Sequence, residues 1–439
     1  MSGTTRLTRR SAAGALIGAL LFTVSACGGS AGDDAKAGGP VEIRFSWWGN
    51  AERAASTQKA IDAFRKANPT ITVKPEYTDF NGYFDRLATS VAAGNAPDVI
   101  TLGGAWPGEY GARGALLDLS KVSADLNTAD LEPAALENGR FDGVQYGVPT
   151  GVNTYAAIID PAAFATAGVP VPDGDAWTWD DFAAISGKLA KGLPKGSSGT
   201  RDPSVPEALD AFSRQHNAEK GVGLYTVDGK LGITESTLVT WWKMTTAMRD
   251  AGATPPASVT AESVTQTGPE QTLLGRGLAG IQLEWSNQLG ALRKASGKDL
   301  KLVRLPGEGT AANPGMWLQA SQLYTINARS KHPAEAARLV SFLTNDAEAA
   351  RAILTDRGVP TNKKVLATIT PLLTPDAAAQ AEFVASLSGK AGYATPGPKG
   401  STDTSKILQR LNADVLFNRL TPETAAKQFT EHVTAAISK

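Results

Sequence analysis

The sequence predicts an α/β fold in two lobes, and three observations predict it. Length is the first: 439 residues are too many for one compact hydrophobic core, so two domains are expected. Composition is the second, since 42% hydrophobic and 20% charged residues describe a folded chain rather than a disordered one. The third is the order of patterns from residue 41 to 102. Strand, helix, strand, helix and strand succeed each other there, as in a largely parallel sheet covered by helices.

Each element has its own signal. Val41, Ile43, Phe45 and Trp47 alternate with other residues, which makes VEIRFSWW a strand. Ile61 and Phe64 mark a helix that stops at Asn68-Pro69. ITVKPEY, from Ile71, is a second strand. Phe84, Leu87 and Val91 mark a second helix closed by Gly94, and Val99, Ile100 and Leu102 a short buried strand. Residues 146–159 read as an extended crossing segment. Thr178, with an acid three residues on, starts a helix before Phe182. Helical patterns fill 234–251 and 264–276. LAGIQLEW (278–285) and SQLYTINA (321–328) read as strands, and Pro333 to Thr344 as a helix opening on proline. The Ala-rich region from about 374 on is helical in pattern, and 191–204 is a surface loop by composition. No internal repeat is visible.

The first forty residues have a different character. Arg6, Arg9 and Arg10 precede an uncharged apolar run, Ala12 to Ala26, too short to anchor stably across a bilayer. It ends in Val24-Ser25-Ala26-Cys27, which resembles the lipobox of bacterial lipoproteins. That resemblance implies a signal peptide at 1–26 and a lipidated Cys27 as the new N-terminus. A plain secretory peptide with a chance cysteine is the alternative. Residues 27–40 then form the lipidated Cys and a flexible Gly- and Ala-rich tether. Arg9-Arg10 hints at twin-arginine export, but the bulky apolar pair usual after it is missing, so the route stays open.

Several function classes are excluded. A single cysteine rules out intrachain disulfides and Cys-rich zinc sites. His216, His332 and His432 are scattered without metal-ligand spacing, so no metal and no cofactor are expected. With the three leader arginines removed, 40 bases face 43 acids, a net charge of −3, and no basic stripe invites nucleic acid. There is no G-x-x-x-x-G-K-[ST] for ATP, and no G-x-S-x-G elbow beyond residue 40.

A series of motifs then appears in consistent order: Phe45-Ser46-Trp47-Trp48-Gly49, Phe64-Arg65-Lys66-Ala67-Asn68-Pro69, Ala92-Ala93-Gly94-Asn95-Ala96-Pro97-Asp98-Val99 and Tyr146-Gly147-Val148-Pro149. Trp177-Thr178-Trp179-Asp180-Asp181-Phe182 follows, then Leu274 to Ile281 ending at Trp285, then Lys331 to Ala337 and Gly358-Val359-Pro360. From about 41 to the end the chain resembles the extracellular solute-binding proteins of sugar ABC importers, the group that includes maltose-binding protein. Trp177 departs from the usual pattern at its position. The resemblance implies a type II, periplasmic-binding-protein-like fold: two hinge-linked α/β lobes around a central ligand cleft. It places lobe 1 at 41–151 plus 303–345 and lobe 2 at 152–302 plus 346–439. It further implies a sugar or oligosaccharide ligand, ABC permease subunits with a separate ATPase, a monomer, and a place at the outer face of the cytoplasmic membrane.

Sugars present apolar C–H faces and a rim of hydroxyls, which call for aromatic surfaces and for polar side chains. In open α/β sheets such groups lie just beyond the strands' C-terminal ends. Trp47 continues the buried series, so Trp48 is the cleft candidate, with Asn50 after it. Asp79 and Phe80 follow the second strand; Asp79 alternatively caps the next helix. Trp106 follows the third strand through two glycines. Asn153 lies on the crossing segment. Glu284 and Trp285 end a strand, and Trp285 matches the family's stacking Trp. Met316 and Trp317 form another platform after a turn, and Arg357 offers a forked set of donors. Trp241 and Trp242 read as packing. A surface-anchored glycan hydrolase, with Glu284 and Asp79 as its carboxylate pair, is one alternative. The same fold with a non-sugar solute is another.

Overall fold

The computed structural model describes residues 39–438, apart from 50, 105, 218–220, 264–267, 388 and 396. The signal peptide, Cys27, the tether up to residue 38 and Asn50 lie outside the described residues. Twelve strands are assigned: β1 (Val41–Trp48), β2 (Ile71–Thr78), β3 (Val99–Leu102), β4 (Arg140–Phe141), β5 (Val144–Gln145), β6 (Gly147–Asn153), β7 (Tyr155–Ile159), β8 (Ser198–Thr200), β9 (Ala279–Trp285), β10 (Lys301–Val303), β11 (Trp317–Ile326) and β12 (Gly392–Tyr393). One sheet has the order β12-β11-β3-β1-β2, with β6 also paired to β11. A second has the order β10-β7-β9-β8, and β4 pairs with β5 as a small hairpin.

The first sheet is parallel where alternation predicts it, with β1 between β2 and β3. Ile43, Phe45 and Trp47 face inward, against Ile61 and Phe64 of the helix Ala51–Ala67. β11 then runs antiparallel to both β3 and β6, so the sheet is mixed. The second core collects the large aromatics Trp177, Trp179, Phe182, Phe212, Trp241 and Trp242. Trp241 and Trp242 are wholly buried, as packing residues are, and their indole N–H groups donate to Ser204 and Asn412. The helix Trp179–Gly192 opens on the expected capping box of Thr178 and Asp181. Among the described residues no helix is long and apolar enough to cross a membrane.

The described chain passes between the two cores three times. Thr154 alone links β6 of the first sheet to β7 of the second. The stretch from β10 to β11 returns. The third pass lies near Val359: the helix Ala347–Ile353 buries Ala349 and Ile353 in the first core, whereas Val359 and Val384 belong to the second. These passes are joined backbone to backbone, Val152 N–H donating to Val359 C=O at 2.8 Å and Val359 N–H to Val152 C=O at 2.9 Å. Gly151 is required here, because a Cβ would stand 2.6 Å from the Arg357 carbonyl oxygen.

Three stretches differ from the sequence reading. Residues 191–204 are not a surface loop: Ser198–Thr200 is a buried strand paired with β9, and Asp202 to Ser204 are buried too. Their small residues serve close packing rather than turning, since a Cβ on Gly199 would lie 1.9 Å from the Ser186 carbonyl oxygen. Within 264–276 the described part is only a 3-10 turn at Pro269–Gln271; the helix of this region is Ala257–Ser263, because Gly268-Pro269 interrupts the pattern. β11 starts at Trp317, four residues before the alternation shows it. Its pairing with β6 shifts register between Ala320 and Leu323, which blurs the period.

Gly199→Ala is expected to destabilise the protein by about 3 kcal/mol, as backbone must move to admit the methyl group. Urea unfolding of the two forms checks this, and an unchanged midpoint would contradict the close packing of β8 on its helix.

Candidate functional site

Local alternation separates Trp47 from Trp48. Trp47 is 1% exposed and stacks on Tyr77 at 5.7 Å. Trp48 leaves the opposite face, half-buried, with Tyr83 at 5.5 Å and Phe84 at 5.4 Å. Both come from the helix Phe80–Ala92, which Asp79 starts by accepting from Gly82 N–H at 3.0 Å. Trp106 opens the helix Trp106–Ala112 beyond β3 and stacks on Phe84, 4.8 Å away and 20° from parallel. Between them, a Cβ on Gly103 would touch Trp48 at 3.4 Å, so the glycine brings the strand end close to the indole. Tyr83 is locked by donating to Thr101 C=O at 2.8 Å, and burial pushes its phenol well above the usual range. The first sheet thus ends in a half-buried aromatic group.

A second such group ends the other sheet. Trp285, half-buried at the tip of β9, meets Tyr155 edge-to-face at 5.4 Å and Trp317 at 6.3 Å. Tyr155 O–H donates to Leu283 C=O at 2.9 Å, and Trp317 Nε1 donates to Gln319 at 3.1 Å. The Arg214 guanidinium lies 5.3 Å from the Trp317 ring and is held by Asp210 at 2.7 Å. Asn153, 5% exposed, accepts from Gln380 Nε2 at 3.0 Å, so its amide joins a crossing strand to the helix Pro375–Ser386.

One strand relates the two groups. Gly103, against Trp48, would place a Cβ 3.8 Å from the Ser321 carbonyl oxygen on β11, and Trp317 begins that strand. Four residues of strand span about 13 Å. The helix opened by Trp106 continues to Gly108 and Ala112, which line a cleft of about 830 Å³ with Arg140 and Phe141. Asp228, Thr395 and Lys399 line the other side, and Arg214 donates to Thr395 at 3.4 Å. None of these indoles lines the cleft itself; Trp106 reaches its wall through its helix and Trp317 through Arg214.

Two candidates are corrected. Met316 offers no platform: it is fully buried, its sulfur accepting from Leu305 N–H at 3.4 Å. Arg357 is 2% exposed, lies within 6 Å of the Phe45, Trp47 and Tyr324 rings, and donates to Tyr324 O–H at 3.1 Å and Thr57 Oγ1 at 2.7 Å. Gly358, at φ +91°, turns the chain so that this guanidinium enters the first core. Phe80 opens a helix. The proposed carboxylate pair is otherwise engaged, Asp79 as a cap and Glu284 in an ion pair with Arg201 at 3.3 Å. Sequence reasoning missed Tyr83, Tyr155, Arg201 and Arg214, and used Phe84 only as a marker of helical period. Arg201 stood in a stretch whose composition reads as loop. Among the described residues no group of three or more His, Cys, Asp or Glu is placed to hold a metal ion.

Acids gather beside Arg201. Burial pushes the Glu207 carboxyl above its ordinary value; Glu284 adds to this, while Arg201 opposes it. A raised folded-state pKa contributes stability below the ordinary value of 4.5 and loses it as pH rises through the folded value. Glu207→Gln is therefore expected to melt about 2 °C above the parent at pH 7, with the difference vanishing below pH 4.5. Melting curves across that range check the sign.

Residues 59–385 match the family described as bacterial extracellular solute-binding protein. An uncharacterized lipoprotein in the oleD 5' region of Streptomyces antibioticus is 28% identical over 174 residues, 39% of this chain and 37% of that protein. The diacetylchitobiose binding protein DasA of Streptomyces coelicolor is 27% identical over 157 residues, 35% of this chain and 37% of that protein. The chain thus spans little more than a third of the length of either relative. The solved structure of an extracellular solute-binding protein family 1 from Alicyclobacillus acidocaldarius superposes with a TM-score of 0.74 at 30% identity, covering 92% of this chain and all of that one.

Proposed function

Because the chain belongs to the bacterial extracellular solute-binding protein family and has its two-lobed, type II α/β fold, we propose that it is the substrate-binding subunit of an ABC importer for a sugar or oligosaccharide. In this reading lipidated Cys27 holds it, as a monomer, at the outer face of the cytoplasmic membrane. The permease pair and its separate ATPase supply transport and energy. The lobes then meet at the three crossings, which act as the hinge; against the expected limits, Leu305 and Met316 pack in the second core and Ala349 and Ile353 in the first, so lobe 1 takes in the helix Ala347–Ile353 and lobe 2 the stretch before β11.

The carrying observation is the pair of aromatic groups that end the two sheets, partly exposed Trp48 and Trp106 on one and partly exposed Trp285, backed by buried Trp317, on the other. Trp317 and Tyr155 are buried behind Trp285 with their N–H and O–H bonded within the protein, so the partly exposed rings Trp48, Trp106 and Trp285 are the ones that can present faces. Faces suit the C–H surfaces of a pyranose. The name of the Streptomyces coelicolor relative, a diacetylchitobiose binding protein, supports the same ligand class. Closure follows if ligand contacts both aromatic groups at once, since only differential contact shifts a two-state equilibrium.

The test is titration of the protein from residue 28 on with mono- and oligosaccharides, followed by Trp fluorescence and calorimetry, with product analysis of the same samples. Saturable binding without product is expected. A cleaved saccharide would instead make the protein a hydrolase, and no binding across the panel would move the ligand to another solute class. Saturating ligand is expected to lower the radius of gyration in small-angle scattering. Trp285→Ala is expected to weaken binding tenfold or more while melting within about 3 °C of the parent; a large drop in melting without ligand would assign Trp285 to the core.

A further inference from the structure

Arg53 stands where a cation is unfavourable. It lies in the first turn of the helix Ala51–Ala67, at the positive pole of the helix dipole. A charge in that place needs another reason, and its bonds supply one. Nε donates to Asp356 Oδ2 at 2.8 Å, and Nη2 donates to Asp356 Oδ1 at 3.3 Å and to the Asp356 C=O at 3.0 Å. Nη1 donates to the Trp48 C=O at 3.3 Å. One rigid, planar group therefore holds the third pass of the chain with two of its nitrogens and the end of β1 with the other. Gly49 makes room for it, since a Cβ there would stand 2.5 Å from Arg53 Cδ.

Both ends of this bridge sit where small shifts count. The ladder of β1 with β3 stops at Ser46 opposite Ile100, two residues before Trp48. Trp48 thus extends past the ladder, and Arg53 takes its carbonyl. At the other end the backbone is strained. Leu354 has φ +53° and ψ −124°, a conformation that L side chains rarely adopt, and Gly358 has φ +91°. Such strain persists only where surrounding contacts over-determine the backbone. The first two turns of the same helix provide those contacts: Arg53 holds Asp356, and Thr57 Oγ1 accepts from Arg357 Nη2 at 2.7 Å. A partly exposed ion pair by itself stabilises little. A guanidinium forked onto a carboxylate and bonded to two backbone carbonyls fixes geometry instead.

We propose that Arg53 is a positioning residue that couples the orientation of Trp48 to the third pass of the chain. The proposal rests on the reading of Trp48 as a saccharide face and of the three crossings as the hinge. A ligand that seats on Trp48 shifts the strand end, and the guanidinium carries that shift to Asp356. Rotation of the crossing moves the Trp48 carbonyl by the same path, because coupling is reciprocal.

Fluorine NMR on the full chain, purified in detergent and labelled with fluorotryptophan, tests the coupling without any ligand. The resonance of Trp48, one of nine tryptophans, is identified by its loss in Trp48→Phe. Asp356→Asn is expected to shift that resonance in the parent and to leave it in place in an Arg53→Gln background, with every variant melting within about 3 °C of the parent. A Trp48 resonance unmoved by Asp356→Asn, or moved equally in both backgrounds, overturns the coupling whatever the ligand. Titration with maltose, cellobiose and diacetylchitobiose reads its consequence. For a saccharide that binds the parent, Arg53→Gln is expected to weaken binding about tenfold, and adding Asp356→Asn to weaken it no further, since one link is broken either way. Arg53→Lys, whose single nitrogen holds one end at most, is expected to bind as weakly as Arg53→Gln. Additive losses, or full recovery with lysine, overturn the bridge. A parent that binds none of these sugars counts against the saccharide reading, and the fluorine spectra then decide the coupling alone.

Discussion

Where the chain crosses between the cores, β6 is held against both β11 and the turn at Val359, and the placement of Asn153 and Trp317 depends on that contact. Val152 and Val359 exchange two backbone hydrogen bonds, and Thr150 Oγ1 donates to the Arg357 carbonyl at 3.0 Å. Asn153 stands opposite Gln319 in the β6–β11 register. Such an approach tolerates no side chain at 151 or 358; a Cβ on Gly358 would meet Ser321 Oγ at 2.1 Å. Beneath it the Arg357 guanidinium fills the first core. Two hydroxyl partners and three aromatic faces offset the cost of burying its charge. Shift this packing, and Trp317, Asn153 and the strand end that supports Trp48 all move with it.

On that base the two sheets present matching surfaces by the same logic. The ends of β1 and β9 each deliver an indole, Trp48 and Trp285, and neighbouring aromatic rings pack against it. Polar groups near the rings are mostly satisfied inside the protein, by Gln319, by Leu283 C=O and by Gln380 on Asn153. A half-buried ring already held by its aromatic neighbours loses little entropy when a ligand covers its face. Buried polar atoms without a partner occur in both halves, Trp47 Nε1 and Ser321 Oγ in one and Arg201 Nε and Asp202 Oδ2 in the other.

The sequence was legible wherever a signal is local. Period-2 alternation placed β1, the Thr178–Asp181 pair marked a helix start, and the Trp47–Trp48 pair was divided between a buried and a partly exposed position by alternation alone. It misled where one residue type serves two physical ends. The glycines and serines of 191–204 have the composition of a turn, yet Gly199 is there because Ser186 leaves no room for a Cβ. Arg357 has the composition of a surface donor, yet its neighbour's positive φ turns it inward. Met316 follows a turn and looks available, yet Leu305 covers it.

The sequence by itself determined the elements, their order and the candidate aromatics, because helix caps, strand alternation and turns are written within a few residues of each other. Tertiary structure alone decided which of those side chains face one another. Trp48 meets Gly103, Trp285 meets Trp317, Arg201 meets Glu284 and Asp202 meets Asn412 across separations that no period spans. Such pairings are set by the path of the backbone between the sheets, and that path is governed by contacts such as Gly151 against Arg357, over two hundred positions apart.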